Sequence, residues 1–245
     1  MSGDVVLYES VDKVAVITLN RPDKLNALNQ EVCDMMVETW RRFDTSDDRV
    51  AILTGAGRAF TAGADLKDGG EIWPYTPGVG IEVRKPIVAA VNGLAIGGGV
   101  VLVQFCDLAV AAEDAWFSYP EAKIGFTGGL ISSMVTRIPH KIAMEFILVG
   151  EKMTAERAYE IGFVNRVVPG AELMEAAMDY AARLAANAPM VVETLKAFAG
   201  RTLPKGPTEL AGYARHMTER TFSSEDLKEG LAAFNEMRKP DFRNR

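Results

Sequence analysis

Two runs of small residues hold the groups best suited to chemistry. One is Phe60-Thr61-Ala62-Gly63-Ala64-Asp65-Leu66; the other is Asn92-Gly93-Leu94-Ala95-Ile96-Gly97-Gly98-Gly99. Small side chains let a ligand approach the backbone closely, and unpaired amides at the start of a helix favour an anion. Two amides from two separate turns, converging on one oxygen, would make an oxyanion hole. Glycines that merely permit tight packing would look the same, so these turns alone leave both readings open.

Competing chemistries find less support. Gly55-Ala56-Gly57-Arg58-Ala59-Phe60 fails the dinucleotide fingerprint because its sixth residue is Phe. Counting from Gly97, Gly99 fits but the last position is Leu102, and neither Gly-Lys-Ser nor Gly-Lys-Thr occurs for a phosphate loop. His140 and His216 are the only histidines; neither has a Cys or a second His at ligand spacing, so no metal site is expected. His140 reads as a residue that caps or joins helices. Gly-x-Ser-x-Gly is absent, which disfavours a serine hydrolase of the nucleophile-elbow type.

The elements that must position these turns follow from the patterning. Val5 to Ser10 and Val14 to Leu19 read as a strand pair around Asp12-Lys13. Asn29 is an N-cap candidate for a helix with Val32, Met35, Met36, Trp40 and Phe43 at helical spacing. Val50 to Thr54 is a buried strand ended by Gly55-Ala56-Gly57. Ile87 to Val91, the second glycine turn and a helix through about Phe105 form the next unit; Asp107 to Ala112 and Ala115 to Ser118 are further short strands. Lys141 to Val149, Ala155 to Gly162 and Ala171 to Ala186 have helical spacing, with one last strand at Val164 to Val168. Pro189 to Phe198, Thr208 to Phe222 and Ser224 to Met237 make a helical C-terminal third. The order predicts a layered α/β core of stacked turns.

Composition bounds the rest. With 245 residues, 48% hydrophobic and 24% charged, the chain fits one globular domain with a small helical appendage. Its formal charge of −6 supplies no global field for nucleic acid or an anionic membrane, and the first helix sets Glu31, Asp34 and Glu38 against Arg41 and Arg42. The apolar run from Pro86 to Ala112 is divided by Asn92-Gly93 and Gly97-Gly98-Gly99 into pieces too short to span a bilayer. Cys33 and Cys106 are isolated, as in a reducing compartment. Met1, Ser2, Gly3 and Asp4 begin neither a basic secretory signal nor an Arg-rich transit peptide, so a cytoplasmic location is expected.

Five segments together resemble a known family. Asn20-Arg21-Pro22 with Leu25-Asn26-Ala27-Leu28, Phe60 with Ala64-Asp65-Leu66, Lys85-Pro86 through Ala90-Val91-Asn92-Gly93 to Gly97-Gly98-Gly99, Cys106-Asp107, and Pro120-Glu121 look like the enoyl-CoA hydratase/isomerase (crotonase) family. Their order and spacing agree from about Val5 to Phe242. The resemblance implies an α/β spiral of ββα turns over residues 1–188, which binds the acyl-CoA. It also implies a helical oligomerisation region over 189–245 that makes trimers or dimers of trimers. It places the oxyanion-hole amides on Ala64 and Gly98. Coenzyme A, part of the substrate rather than a separate cofactor, would lie near Leu25, Ala27, Ala62, Asp65 and Leu66, with Lys24 as a phosphate contact. Phe234 would reach the coenzyme A of a neighbouring subunit. The cation expected three residues after Phe234 is replaced by Met237, with Arg238 beside it.

One departure bears on the reaction. Hydratases of this family usually carry two glutamates that position and activate a water. Here Gly99 is followed by Val100 and Val101, so the first is missing; the second matches Glu121, after Pro120. An apolar Val101 would raise the basicity of a nearby carboxylate and exclude water. A single carboxylate resembles the 3,2-enoyl-CoA isomerases, so isomerisation of a 3-enoyl-CoA to a 2-enoyl-CoA by Glu121 is favoured. Hydration, or hydration followed by carbon–carbon cleavage, is the enzymatic alternative; an acyl-CoA-binding pseudoenzyme is the non-catalytic one. Trp73, Tyr75 and Phe126 are acyl-pocket candidates, and Thr127 is a candidate for holding water or substrate or for capping the next helix.

Overall fold

The computed structural model describes residues 4–243. Residues 1–3 and 244–245, the outer ends of the expected core and helical regions, lie outside the described residues. Strands β1 (Val6–Val11) and β2 (Val14–Leu19) pair antiparallel around Asp12 and Lys13, both at positive φ (50° and 66°). Two left-handed residues in succession give the turn whose twist matches the flanking strands. Helix α1 (Gln30–Thr45) starts where Asn29 accepts the Val32 amide at 3.2 Å, and it buries Val32, Met36, Trp40 and Phe43.

From there the chain alternates between two sheets. Strands β3 (Val50–Gly55), β5 (Ile87–Val91) and β7 (Leu108–Ala112) lie parallel in one; β4 (Ala59–Thr61), β6 (Leu94–Ile96) and β8 (Trp116–Ser118) lie parallel in the other. Helix α2 (Gly98–Phe105) follows β6, and the four-residue α3 (Glu121–Ile124) follows β8. Each turn of the chain thus lays one strand in each sheet, and the second and third close with a helix, a ββα spiral. The continuous apolar runs of β3, β5 and β7 are what parallel strands covered on both faces require.

Beyond α3 come α4 (His140–Val149), β9 (Met153–Thr154), α5 (Ala155–Glu160), β10 (Arg166–Val168) and α6 (Leu173–Ala185). The first sheet runs β1-β2-β3-β5-β7-β10 and the second β4-β6-β8-β9. Helix α6 packs on β2, β3, β5 and β7 through Leu173, Ala176, Ala177 and Ala181. The helices α7 (Pro189–Thr202), α8 (Pro207–Phe222) and α9 (Glu225–Asn235) complete the described chain. The buried hydrophobic core runs from Val5 to Ala181, with only Ala233 contributed from these last three helices.

Some expectations needed correcting. The second glycine run is not one uninterrupted turn, because Leu94–Ile96 pairs with both β4 and β8 as β6. Strand β4 likewise occupies the start of the first run. Strands of three residues give no alternation to read. Helix α3 also went unforeseen: four residues carry no helical period, although Pro120 before it and Gly125 after it, at φ 84°, mark its ends. His140 opens α4 as its first residue and supplies no cap. Among the described residues no helix is long and apolar enough to cross a membrane.

Candidate active site

The segment 21–28 and the turn 61–65 are stitched side by side. Asn26, 1% exposed, sits at φ 56°, a conformation Asn tolerates better than most residues. Its side chain accepts the Arg21 amide at 2.9 Å and donates to the carbonyls of Ala56 and Ala59 at 2.9 and 2.8 Å. The Thr61 hydroxyl donates to the Asn26 carbonyl at 2.6 Å and accepts the Gly63 amide at 3.0 Å. The Ala62 amide donates to the Leu25 carbonyl at 2.9 Å.

This stitching leaves one amide over. Leu28 and Ala64 form an isolated parallel bridge: the Leu28 amide donates to the Gly63 carbonyl at 2.8 Å, and the Asp65 amide donates to the Leu28 carbonyl at 3.0 Å. In a parallel bridge of this kind the residue between the two bonds, Ala64, points its own N–H away from the partner. No acceptor among the described residues takes it.

The second amide comes from a helix start. Gly97 donates to the Ser118 carbonyl at 2.9 Å and turns at φ 53°, ψ −111°; Gly98 is the first residue of α2, so its N–H has no partner within the helix. A side chain on Gly63 would come within 3.3 Å of the Gly98 nitrogen, which makes the Gly63–Ala64 peptide and the Gly98 amide close neighbours. A side chain on Gly98 would meet Leu28 and Ile72 at 3.1 and 3.5 Å. Ile72, missed at the sequence level, therefore walls the same space. Its only signal was its place in the loop after the first turn.

Glu121 arrives from the third turn of the spiral. It is the first residue of α3, and its Oε1 lies 2.5 Å from where a Gly97 side chain would begin. Its Oε2 is buried without a hydrogen-bond partner. Burial pushes the carboxyl up to about 7, with only a backbone hydrogen bond opposing it. Val101, 2% exposed, is part of the core on α2, so an apolar group stands where a second carboxylate was sought. Among the described residues no group of His, Cys, Asp and Glu could hold a metal.

The remaining predicted residues divide. Leu25, Ala27 and Ala62 are half-buried on the stitched ledge, Lys24 and Leu66 are exposed at its edges, and half-buried Pro120 caps α3. Asp65 is occupied: it accepts the Lys67 amide at 3.1 Å and pairs with Arg21 at 3.2 Å, and the Lys67 bond foremost holds its carboxyl below the usual range. Arg21 also donates to the Ala27 carbonyl at 2.5 Å, a bracing role its motif did not announce.

Phe234 is 81% exposed on α9, whose main neighbour is α8, so a single chain does not carry it to the two turns. Arg238 is held by Glu229 at 2.5 and 2.9 Å. Tyr75 is a correction: it is fully buried beside Cys33 and offers nothing to an open pocket. Trp73 donates to Glu71 at 2.6 Å and lies under the Arg215 guanidinium at 4.9 Å, whereas Phe126 is exposed. A cleft of about 630 Å³ between the core and α7 includes none of the predicted site residues.

The sequence and the fold have known counterparts. The family model described as enoyl-CoA hydratase/isomerase matches residues 9–76 and 80–245. The chain is similar to enoyl-CoA hydratase EchA19 of Mycobacterium tuberculosis (36% identical over 261 residues, covering 100% of this chain and 98% of the relative). It is equally similar to the (E)-benzylidenesuccinyl-CoA hydratase of Thauera aromatica (36% over 259 residues, 97% and 98%). Among solved structures, the carnitinyl-CoA hydratase of Mycobacterium avium superposes with a TM-score of 0.77 at 35% identity, covering 100% of both chains.

Proposed function

The chain belongs to the enoyl-CoA hydratase/isomerase family, and from that premise we propose that it moves the double bond of a 3-enoyl-CoA to the 2-position. The observation that carries this reading is Glu121, a lone carboxyl with one buried, unpartnered oxygen beside the turn that bears the Gly98 amide. The thioester oxygen sits between the amides of Ala64 and Gly98. Glu121 takes a proton from C2, the dienolate charge rests on that oxygen, and Glu121 returns the proton to C4. The double bond ends between C2 and C3, and Glu121 is again a carboxylate. Each oxyanion donor is typically worth about 10²–10³ in rate and a positioned base about 10²–10⁴.

The chemistry needs two amides and one carboxylate, so no cofactor beyond the substrate's own coenzyme A enters the proposal. Coenzyme A lies along the ledge of Leu25, Ala27, Ala62 and Leu66, with exposed Lys24 at its phosphates and Pro120 beside the acyl end. Asp65 keeps the ledge in shape through Arg21 instead of contacting the ligand with its carboxylate. Val101 walls the base against water. Residues 189–245 join three copies, and Phe234 of one copy reaches the coenzyme A of the next. Two free cysteines support a cytoplasmic setting.

Hydration is the second reading, favoured by the names of the similar hydratases. Assays with crotonyl-CoA and 3-hexenoyl-CoA separate the two. Isomerisation of 3-hexenoyl-CoA should be the faster reaction; faster hydration of crotonyl-CoA would overturn the isomerase reading. Tight coenzyme A binding with no turnover of either would point to a pseudoenzyme.

A further inference from the structure

The carboxyl of Glu121 has no side-chain partner to orient it, so its aim depends on the backbone that carries it. That backbone is a four-residue helix followed by an exposed loop: residues 122–128 are all exposed. Within it, the amides of Gly125 and Phe126 donate to the Glu121 carbonyl at 2.8 and 3.2 Å. Lys123 reaches the Gly150 carbonyl at 3.1 Å and Glu151 at 3.3 Å, but both charged side chains are more than half exposed, and such pairs contribute little.

One contact differs. Tyr119, 4% exposed, is fixed in the core two residues before the base, and its hydroxyl lies 2.8 Å from the Thr127 hydroxyl. Thr127 Oγ1 also accepts the Gly129 amide at 3.1 Å, so it is anchored to the next element. Among the described residues this is the one side-chain hydrogen bond tying residues 122–128 to a buried side chain.

We infer that Thr127, acting through Tyr119, is a positioning residue for Glu121: their hydroxyl pair closes the loop that carries the base and holds the carboxyl against the Gly97–Gly98 turn. The inference rests on the reading of Glu121 as the base. A latch that slackens lets the carboxyl swing outward, which lengthens its reach to C2 and exposes it to water. Both consequences are measurable. The titratable groups bonded to the loop are Tyr119, Lys123 and Glu151, and α4, which packs on α3, carries His140, Lys141 and Glu145; Tyr119 feels the charge of Glu121.

The test is exchange of the C2 protons of butyryl-CoA in deuterated water, which requires the amides and the base but no particular overall reaction. Thr127→Val and Tyr119→Phe should each slow the maximal exchange rate about tenfold with little change in KM. Each should also shift the acid limb of the pH profile downward, toward an ordinary carboxylate. The double variant should be no slower than either single one, as for one shared bond, and Thr127→Ser should keep the wild-type rate. Unchanged rates and pH limbs in both single variants, or fully multiplicative losses in the double one, would overturn the latch. A Glu121→Gln protein that still exchanges would instead refute the underlying assignment of the base.

Discussion

Glu121 pays for its burial in stability. An ordinary carboxyl near 4.5 held at about 7 in the folded chain is disfavoured as an anion. The folded state keeps its proton where the unfolded state has lost it, so stability falls as pH rises from about 4.5 to about 7 and is flat above. At full ionisation the shift sets an upper bound of roughly 3 kcal/mol, which the carboxyl's partial exposure lowers. Glu121→Gln should therefore melt higher than wild type at pH 8 and match it near pH 4, while losing about 10²–10⁴ in rate. Thermal melts across pH measure the first, and equal melting at pH 8 would contradict it. As a base, Glu121 also predicts activity that rises with pH through about 7. Gly97 fits the same account. Its backbone at φ 53°, ψ −111° suits glycine alone, and any side chain would run into the Glu121 carboxyl.

At the scale of elements, two buried or half-buried amides hold the turns. Asn26 bridges Arg21, Ala56 and Ala59, and Asn92 donates to the carbonyls of Gly55, Gly57 and Ala59 at 2.8, 2.8 and 3.2 Å. Asn26→Gly keeps the positive φ but orphans the Arg21 amide and the Ala56 carbonyl. It should cost roughly 2–4 kcal/mol, read as a lower urea midpoint; an unmoved midpoint would refute the brace. Sequence alone made part of this legible. Strands β2 and β5 and the cap at Asn29 were readable because apolar runs and capping residues are local signals. Strands β4 and β6 and helix α3 were not, because each is fixed by neighbours distant in sequence and is too short to show a period. For the same reason the turns bearing Ala64, Gly98 and Glu121 could be named from motifs, whereas Ile72 and the Tyr119–Thr127 bond emerge only once the chain is folded.

For the whole molecule, the face of α7 is the telling surface. Val191, Leu195 and Phe198 stand at helical spacing and are 55, 62 and 59% exposed, and Leu210, Phe222, Leu231 and Phe234 are also exposed on α8 and α9. Apolar residues grouped like this suit the subunit contacts of the assembly proposed above. Three copies of 26.6 kDa give about 80 kDa, and a pair of trimers twice that. Sedimentation should find one of these, and Leu195→Glu should shift it toward smaller species. A wild-type chain that sediments at the single-chain mass would refute the assembly.

Because nearly every buried hydrophobic residue lies before Asn187, the order of synthesis matters. Chains emerge at about 5–20 residues per second, so the spiral can close several seconds before α7 to α9 are complete. The Ala64 and Gly98 amides and the Glu121 carboxyl come together first. The contact of α8 with the loop around Trp73, through Gly212 and Arg215, arrives later. A nascent chain would then hold these groups together before α8 backs the loop around Trp73.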